Sequence, residues 1–314
     1  MKIFIAGASG AIGSHLVTQL GARGHEVTGT TRSAAKTGAL RALGAQPVVL
    51  DALDPGAVAA VVAKAEPEVI VHQLTAIGGP MKFRQVKRMA AATNRLRTDG
   101  TDHLLAAART AGVRTFVAQS NAIWVQRTAR LVVDENGRLD PNPPKDAEPT
   151  VAALRHLEDA VTGISWADGI ALRYGAFYGP GTGVENAPGA VMAEMIRKRM
   201  VPIIGGGGAM GSWVHITDAA SATVAAIERG KPGIYHVADD EPAPMRDILQ
   251  ELARALGAKP PRHIPAWLIR LPAGQAPVHM MTQARGISSE KAKRELGWTP
   301  QYPSWRTGFI DGLS

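Results

Sequence analysis

The stretch Lys2-Ile3-Phe4-Ile5-Ala6-Gly7-Ala8-Ser9-Gly10-Ala11-Ile12-Gly13 decides the fold. Its apolar start is typical of a strand buried on both faces, as in a parallel sheet, and the apolar spacing after Gly13 predicts a helix. A strand that turns tightly into a helix leaves backbone N–H groups at the helix start, where the helix dipole attracts a phosphate. Gly7 permits the turn, Gly10 lets a pyrophosphate approach the backbone, and Gly13 lets the helix pack on the strand. The stretch therefore predicts a dinucleotide site, with a ligand-free glycine turn as the alternative; the expected contacts are Gly7, Ser9, Gly10, Ala11, Ile12 and Gly13.

Composition excludes several classes of protein. The chain has 314 residues, 45% of them hydrophobic, which suffices for one large α/β domain or for a domain with an added lobe. It has no cysteine, so a disulfide framework, a thiol nucleophile and a thiolate metal site are all ruled out. The nine histidines show no metal-ligand spacing with carboxylates, and no metal is expected.

Charge and hydropathy bear on partners and location. Lysine and arginine number 35 against 27 acidic residues, a net charge of +8, but the basic residues are scattered and not interleaved with aromatic ones. We therefore expect a small-molecule substrate and no nucleic acid. There is no apolar run of about 18 residues and no secretory leader pattern, so the expectation is a cytoplasmic protein without a membrane segment.

Strands alternate with helices along most of the chain. Apolar runs predict strands near residues 2–6, 24–32, 47–51, 69–76, 115–120, 169–174, 213–218 and 234–237, and helices near 34–43, 55–64, 83–111, 150–162, 190–199 and 218–228. This alternation predicts an α/β fold, a doubly wound parallel Rossmann sheet with a smaller C-terminal lobe. We expect the dinucleotide-binding domain over 1–174, with 213–238 returning to it, and a substrate lobe from 175–212 and 239–314.

The end of the second strand bears on the choice of dinucleotide. NAD-binding folds usually carry an acidic residue about 20 positions after the glycine turn, bonded to the ribose 2′-hydroxyl. Here Thr31, Arg32 and Ser33 stand there instead, without a carboxylate. Because a guanidinium pairs with a 2′-phosphate that a carboxylate would repel, the sequence predicts NADP, with NAD as the alternative. The competing interpretation is that Arg32 is only a solvated strand end.

Further dinucleotide contacts are expected where other strands end, since ligands of open α/β sheets bind at the carboxyl edge. The expected contacts beyond the turn are Arg32, Ser33, Asp51, Ala52, Leu74, Thr75 and, on the helix that follows the fourth strand, Asn94.

Taken together these motifs resemble the extended short-chain dehydrogenase/reductase superfamily, in its NAD(P)-dependent epimerase/dehydratase branch. The resemblance rests on GASGAIG at 7–13, TFVAQS at 115–120, LRYGAFYGP at 172–180, WVHITD at 213–218 and KRELGWTP at 293–300. It covers nearly the whole chain. It implies an oxidoreductase or epimerase/dehydratase acting on a small polar carbonyl or hydroxyl compound, and a homodimer formed through the helices near 83–111 and 150–166.

The family works through a Tyr-x-x-x-Lys pair, in which the phenol exchanges a proton and the lysine holds the ribose. Aligned on Pro149 and Glu158, the tyrosine position is Thr150 and the lysine position is Leu154. None of the four tyrosines precedes residue 174, so no change of register restores the pair. The family's substrate-polarising Ser or Thr corresponds to Ser120 or Asn121.

Two functions follow from this loss. In the first, the chain is an oxidoreductase with a divergent site that includes Ser120, Asn121 and Thr150 and takes its proton donor from Tyr174, Tyr178 or His215. In the second, it is a cofactor-binding sensor similar to NmrA-like proteins. Gly211 and Ser212 stand where the family's sugar-nucleotide enzymes carry a diphosphate-binding arginine, which argues against a nucleotide-sugar substrate.

Overall fold

The computed structural model describes residues 1–77 and 83–314. The strands are β1 Lys2–Ala6, β2 Glu26–Thr31, β3 Gln46–Val49, β4 Val69–His72, β5 Thr115–Asn121, β6 Val132–Val133, β7 Asp168–Tyr174, β8 Ala176–Tyr178, β9 Ile203–Ile204, β10 Met210–Gly211, β11 Trp213–His215, β12 Gly233–Val237, β13 Ala243–Pro244, β14 His263–Ile264 and β15 Gly286–Ile287. The helices are α1 Ala11–Gly21, α2 Thr37–Ala42, α3 Pro55–Ala65, α4 Phe83–Arg97, α5 Asp99–Thr110, α6 Glu148–Thr162, α7 Val191–Arg197, α8 Ile216–Arg229, α9 Met245–Ala255, α10 Ala266–Ala273, α11 Ala276–Thr282, α12 Glu290–Leu296 and α13 Trp305–Asp311.

Seven strands form the central sheet, in the order β12-β7-β5-β4-β1-β2-β3, and every neighbouring pair is parallel. The chain runs outward from β1 in one direction as far as β3 and then returns to build the other side from β4. The strand order therefore reverses between β1 and β4, and a crevice for a ligand opens there at the carboxyl ends of the strands. The predicted doubly wound Rossmann fold is confirmed.

Helices cover both faces of the sheet because its strands are apolar on both sides. One buried cluster packs α1, α8 and α12 on one face, through residues such as Ile5, Leu16 and Val224. The other packs α3, α5 and α6 on the opposite face, through residues such as Phe116 and Leu157. Side chains alternate along each strand, so the face on which a strand-end residue lies follows from its parity.

A third buried cluster lies outside the central sheet. It joins Tyr178, Trp213, Trp305 and Phe309 with apolar residues of α7 and α9. The short strand β11 belongs to this part of the molecule, since it pairs with β8 in a two-stranded sheet separate from the central one. The single strand predicted over residues 213–218 is wrong in its length, because the strand ends at His215 and helix α8 begins at Ile216.

The helix expected over residues 83–111 is wrong as a single element, because it is interrupted at Thr98. That residue has φ −96° and ψ −85°, outside the helical region, and Asp99 begins a new helix. The Thr98 hydroxyl donates to the Asn94 carbonyl (3.2 Å), a local bond with which threonine competes against regular helix geometry. Within the described ranges no helix is long and apolar enough to cross a membrane.

Candidate active site

The glycine turn has the geometry that a pyrophosphate needs. Gly7 adopts φ +94°, and a Cβ there would lie 2.8 Å from the Gln73 carbonyl oxygen. The Gly10 N–H donates to the Gly7 carbonyl (3.0 Å), which closes the turn. A Cβ on Gly13 would lie 2.4 Å from that same carbonyl oxygen, so α1 approaches the turn as closely as glycine permits. Gly7 and Gly13 are therefore required by their surroundings.

The start of α1 is open to an anion. Gly10 is its N-cap, no side chain caps the helix, and its first turn holds no acidic residue. Its first N–H groups have no intrahelical partner, and they carry the positive end of the dipole. Of the other predicted turn residues, Ser9 donates from its hydroxyl to Thr31 (3.0 Å), and Ile12 is buried. These observations fit a dinucleotide phosphate at this helix terminus.

The end of β2 lies beside this turn. The Gly7 N–H donates to the Thr30 hydroxyl (3.0 Å), so the turn and the strand end are held together. Arg32 and Ser33 follow with exposed side chains. No ion pair joins Arg32 to any residue within 1–77 or 83–314. A guanidinium next to the dinucleotide turn is thus left for a ligand.

The remaining strand-end residues have different surroundings. Asp51 is exposed and accepts the Leu53 N–H through its carboxylate (3.0 Å), which fixes a turn, while Ala52 is buried. Leu74 and Thr75 are half-buried just beyond β4. These positions all follow the carboxyl ends of β3 and β4, as the predicted dinucleotide contacts require.

Helix α6 brings the family's proton-donor position to the same edge. Thr150 is half-buried in its first turn and accepts a hydrogen bond from Asn94 Nδ2 (3.3 Å). The other amide atom, Asn94 Oδ1, is buried and has no partner among the described residues. Leu154 joins a buried apolar cluster with Trp124 and Val151. The site therefore has a hydroxyl and an amide, but neither the phenol nor the amine of the family pair.

Ser120 belongs to a buried ionic network. Its hydroxyl donates to Glu158 Oε1 (2.5 Å), and the Arg173 guanidinium holds both oxygens of that carboxylate at 2.7 Å. Arg173 also donates to the Gly137 carbonyl (2.6 Å). Asn121, the alternative to Ser120, instead uses its side chain to accept the Ile123 N–H (2.8 Å). Ser120 is fixed and almost fully buried, so it acts as a positioned group rather than a free hydroxyl.

Tyr174 ends β7 at the carboxyl edge, but its side chain lies on the sheet face that α1 and α8 cover, where Gln73 Nε2 donates to its hydroxyl (3.5 Å). Its side chain is buried in the cluster that packs α1 and α8 on the sheet, and its hydroxyl lies 2.6 Å from that of Thr223. Burial raises the pKa of Tyr174 to about 12, which makes the phenol a poorer acid near neutrality. A motif at the end of a strand cannot reveal on which face its side chain lies, and here the face is that of α8.

Tyr178 and His215 are held by contacts with α13 and the start of α8. Tyr178 packs edge-on against Phe309 and His215, and burial raises its pKa well above the ordinary value. His215 Nε2 lies 2.9 Å from the Gly312 carbonyl oxygen, and its Nδ1 accepts the Thr217 N–H (3.3 Å) at the start of α8. Both residues therefore serve packing and helix capping.

Four residues near the site were missed by sequence reasoning. Glu158 and Arg173 form the network around Ser120, and no spacing rule connects α6 with β7. His279 of α11 stacks on Trp124 with ring centroids 5.3 Å apart, although the two residues are far apart in sequence. The fourth is Arg97, which is buried at the end of α4. Among the described residues, no three acidic or histidine side chains cluster as a metal site would require.

Comparison with known proteins identifies the family. A model described as the NAD dependent epimerase/dehydratase family matches residues 3–238. The chain belongs to this family. The resemblance inferred from the motifs is thereby confirmed, and the protein is an NAD(P)-dependent oxidoreductase or epimerase-type enzyme with a nicotinamide dinucleotide as its cofactor.

Named relatives cover the full length of the chain. A 3-diazoavenalumate denitrifying reductase from a Streptomyces species is 42% identical over 98% of this chain and 99% of that protein. A 4-hydroxy-2-methyl-3-oxo-4-farnesyl-3,4-dihydroquinoline-1-oxide ketoreductase from Stigmatella aurantiaca is 25% identical, over 95% of this chain and 92% of its own. A human epimerase family protein solved with NADPH has the same fold, with a TM-score of 0.75 and 18% identity over 100% of this chain and 99% of that one.

Proposed function

We propose that the protein is an NADPH-dependent reductase that transfers hydride to the diazonium group of an aromatic acid, with release of nitrogen gas. The observation that carries this proposal is that α6 has neither the phenol nor the amine of the family pair. Thr150 stands at the tyrosine position and Leu154 at the lysine position, and the side chains of Tyr174 and Tyr178 are buried. Reduction of a ketone needs both a hydride and a proton, whereas displacement of nitrogen from a diazonium group needs the hydride alone.

The proposed reaction balances without an acid. Bound NADPH supplies a hydride, that is, a proton with an electron pair. The aryl carbon gains this hydride, the carbon–nitrogen bond breaks with its electron pair leaving on N₂, and the positive charge of the diazonium group is cancelled. No proton is taken up or released overall. The role of the protein is then to bind and orient both partners and to exclude water, which competes for the same carbon.

The named relatives support the choice of substrate class. The relative that is 42% identical is named for a diazo compound that is the anion of an acid. The apolar cluster of Trp124 and Leu154, with His279 stacked on Trp124, suits an aromatic ring better than a sugar. Gly211 and Ser212 offer no guanidinium to a diphosphate. We therefore favour an aromatic acid over the small polar carbonyl or hydroxyl compound that the resemblance implied.

We further propose that NADPH is preferred over NADH. Arg32 and Ser33 are exposed beside the glycine turn, and no carboxylate stands at the end of β2. A guanidinium bonded to a 2′-phosphate contributes about 1.5–3 kcal/mol, or about tenfold to a hundredfold in affinity. Arg41→Ala is the matched control, since Arg41 is also exposed but lies on α2, away from the strand end.

The experiment that tests this function measures product stoichiometry. The purified protein is mixed with NADPH and an aryl diazonium carboxylic acid, and cofactor oxidation, arene and N₂ are quantified. We expect one N₂ and one arene for each NADPH oxidised, at a rate above that of heat-denatured protein. Tight NADPH binding without any turnover of this or a screened panel of acceptors would instead favour the NmrA-like sensor.

We retain two expectations as part of the proposal. Residues 175–212 and 239–314 form the lobe that covers the substrate, with 1–174 and 213–238 as the dinucleotide-binding domain.

The protein is a cytoplasmic homodimer that pairs through α4, α5 and α6. Sedimentation of the purified chain tests the dimer, and Arg95→Glu on the exposed surface of α4 is expected to weaken it.

A further inference from the structure

Arg97 is a buried cation with no counter-charge among the residues that the structure describes. It ends α4 with 8% of its surface exposed, so it is more than nine-tenths buried. No carboxylate among the described residues pairs with it, and burial alone lowers the pKa of its guanidinium to about 10. At neutral pH the group is still charged. Buried guanidinium groups are normally paired, because an unpaired charge loses its hydration without compensation.

The position of Arg97 on its helix directs it to the carboxyl edge of β4. Residues four apart on a helix share a face. Thr93, one turn earlier, accepts the Ala76 N–H just beyond β4 (3.1 Å). On the same side, His72 at the end of β4 feels the Arg97 charge, which helps burial to lower its pKa to about 4. Arg97 therefore lies against the end of β4, where the strand order reverses next to β1.

Two contacts join α4 and α5 to α6 on either side of Arg97 in the sequence. Before Arg97, Asn94 Nδ2 donates to the Thr150 hydroxyl (3.3 Å). After it, His156 Nε2 lies 2.8 Å from an Asp102 carboxylate oxygen. Arg97 falls between Asn94 and Asp102 in sequence, as Leu154 falls between Thr150 and His156. Leu154 stands at the position of the family's lysine, and here its side chain packs in an apolar cluster.

We propose that Arg97 replaces the missing lysine from the neighbouring helix and donates hydrogen bonds to the ribose hydroxyls at the nicotinamide end of the cofactor. The inference rests on the proposed function, since it requires that the site holds NADPH. With the pyrophosphate bound at the start of α1, residues near the ends of β4 and β5 and at the start of α6, among them Thr150, would hold the nicotinamide half of the cofactor. The positive charge needed there is supplied from α4 rather than α6. Arg97 is thus a cofactor-positioning residue, and the diazonium reaction retains it although no phenol remains to be tuned.

The test compares the affinity for the whole cofactor with the affinity for its adenosine half alone. Wild type, Arg97→Met and Arg97→Lys are titrated with NADPH and with adenosine 2′,5′-bisphosphate, which lacks the nicotinamide half. We expect Arg97→Met to weaken NADPH about tenfold or more and to leave the bisphosphate unchanged, with Arg97→Lys recovering part of the loss. Arg41→Met is the control, since Arg41 is exposed on α2, away from the strand ends and from the helices of the proposed dimer; it should bind both ligands as wild type does.

Thermal unfolding of the ligand-free proteins separates this role from a structural one. Removing an unpaired buried cation should leave the midpoint unchanged or raise it. A large fall, an equal loss of both ligands, or unchanged NADPH affinity would overturn the inference, and so would an effect confined to the KM of the diazonium acid. If wild type itself fails to bind NADPH, the proposed function falls, and this inference with it. If wild type binds and Arg97→Met binds equally well, the inference alone is overturned.

Discussion

Single Gly→Ala substitutions at Gly10, Gly13 and Gly21 distinguish effects on the stability of the fold from effects on cofactor binding. A Cβ on Gly13 would lie 2.4 Å from the Gly7 carbonyl oxygen and 2.7 Å from Ala8, both backbone atoms that cannot move aside. A Cβ on Gly10 would meet only the Gly7 carbonyl oxygen, at 3.3 Å, and Gly10 has the ordinary φ of −85°. Gly21, in the last turn of α1, has nothing within 4 Å of its added Cβ. The three substitutions therefore face three different degrees of crowding.

The expected magnitudes follow from these distances. Gly13→Ala forces α1 away from the turn, which costs about 1–3 kcal/mol of unfolding free energy as overpacking does, and it disrupts the site as well. Gly10→Ala should stay within about 1 kcal/mol of wild type, yet its methyl group occupies the space of the pyrophosphate and weakens NADPH about tenfold or more. Gly21→Ala should stabilise the protein by up to about 1 kcal/mol through helix propensity, with unchanged binding.

Urea unfolding followed by circular dichroism gives the stabilities, and titration of nicotinamide fluorescence gives the dissociation constants. The three variants should rank Gly21→Ala, Gly10→Ala, Gly13→Ala in stability, and only Gly21→Ala should keep full affinity. If Gly10→Ala bound NADPH as tightly as wild type, the phosphate would not lie at the start of α1. If Gly13→Ala were as stable as wild type, α1 would not approach the turn as closely as the structure shows.

Further predictions test the electrostatics. Arg32→Ala should weaken NADPH about tenfold to a hundredfold and leave NADH within about twofold, as measured by fluorescence titration; an equal loss of both would contradict a 2′-phosphate contact. Glu158→Gln, which leaves the buried Arg173 charge uncompensated, should lower the unfolding free energy by about 3–5 kcal/mol in urea, and a change below about 1 kcal/mol would count against the ionic network. Burial lowers the pKa of His72 to about 4 and of His236 to about 3, against 6.5 for an ordinary histidine, so the neutral rings stabilise the fold fully above pH 6.5. As the pH falls below 6.5, the unfolding free energy should drop by up to about 1.4 kcal/mol per pH unit for each histidine, and a flat profile down to pH 4.5 would refute this.

Local patterns predicted those parts of the molecule that depend on residues close in sequence. Spacing and residue type alone predict the glycine turn, the alternation of strands and helices, and the loss of the family's tyrosine. They do not predict the interruption at Thr98, since an isolated threonine is compatible with a helix. The hydrogen bond from its hydroxyl to the Asn94 carbonyl is visible only in the structure.

The inner surroundings of the site depend on contacts between distant segments. Tyr174 looked like a proton donor because it ends a strand, but its parity turns it toward Thr223 of α8. Glu158 and Arg173 meet only because α6 lies beside β7. The sequence does not distinguish Arg97 from the other arginines of the chain, and only its burial in the structure singles it out. Each of these three features depends on how helices and strands pack together, and a single sequence does not show that packing.

A comparison of two acceptors tests the central claim, hydride transfer without a protein proton donor. An aryl diazonium carboxylic acid and the ketone of matching shape are each mixed with NADPH at a concentration near the wild-type dissociation constant, and nicotinamide absorbance is followed with wild type and with Gly10→Ala as the control that binds NADPH more weakly. The account predicts that wild type reduces the diazonium acid and leaves the ketone untouched, while the control reduces the diazonium acid more slowly and also leaves the ketone untouched. Reduction of the ketone in preference to the diazonium acid would contradict it, because it would reveal a proton donor at this site.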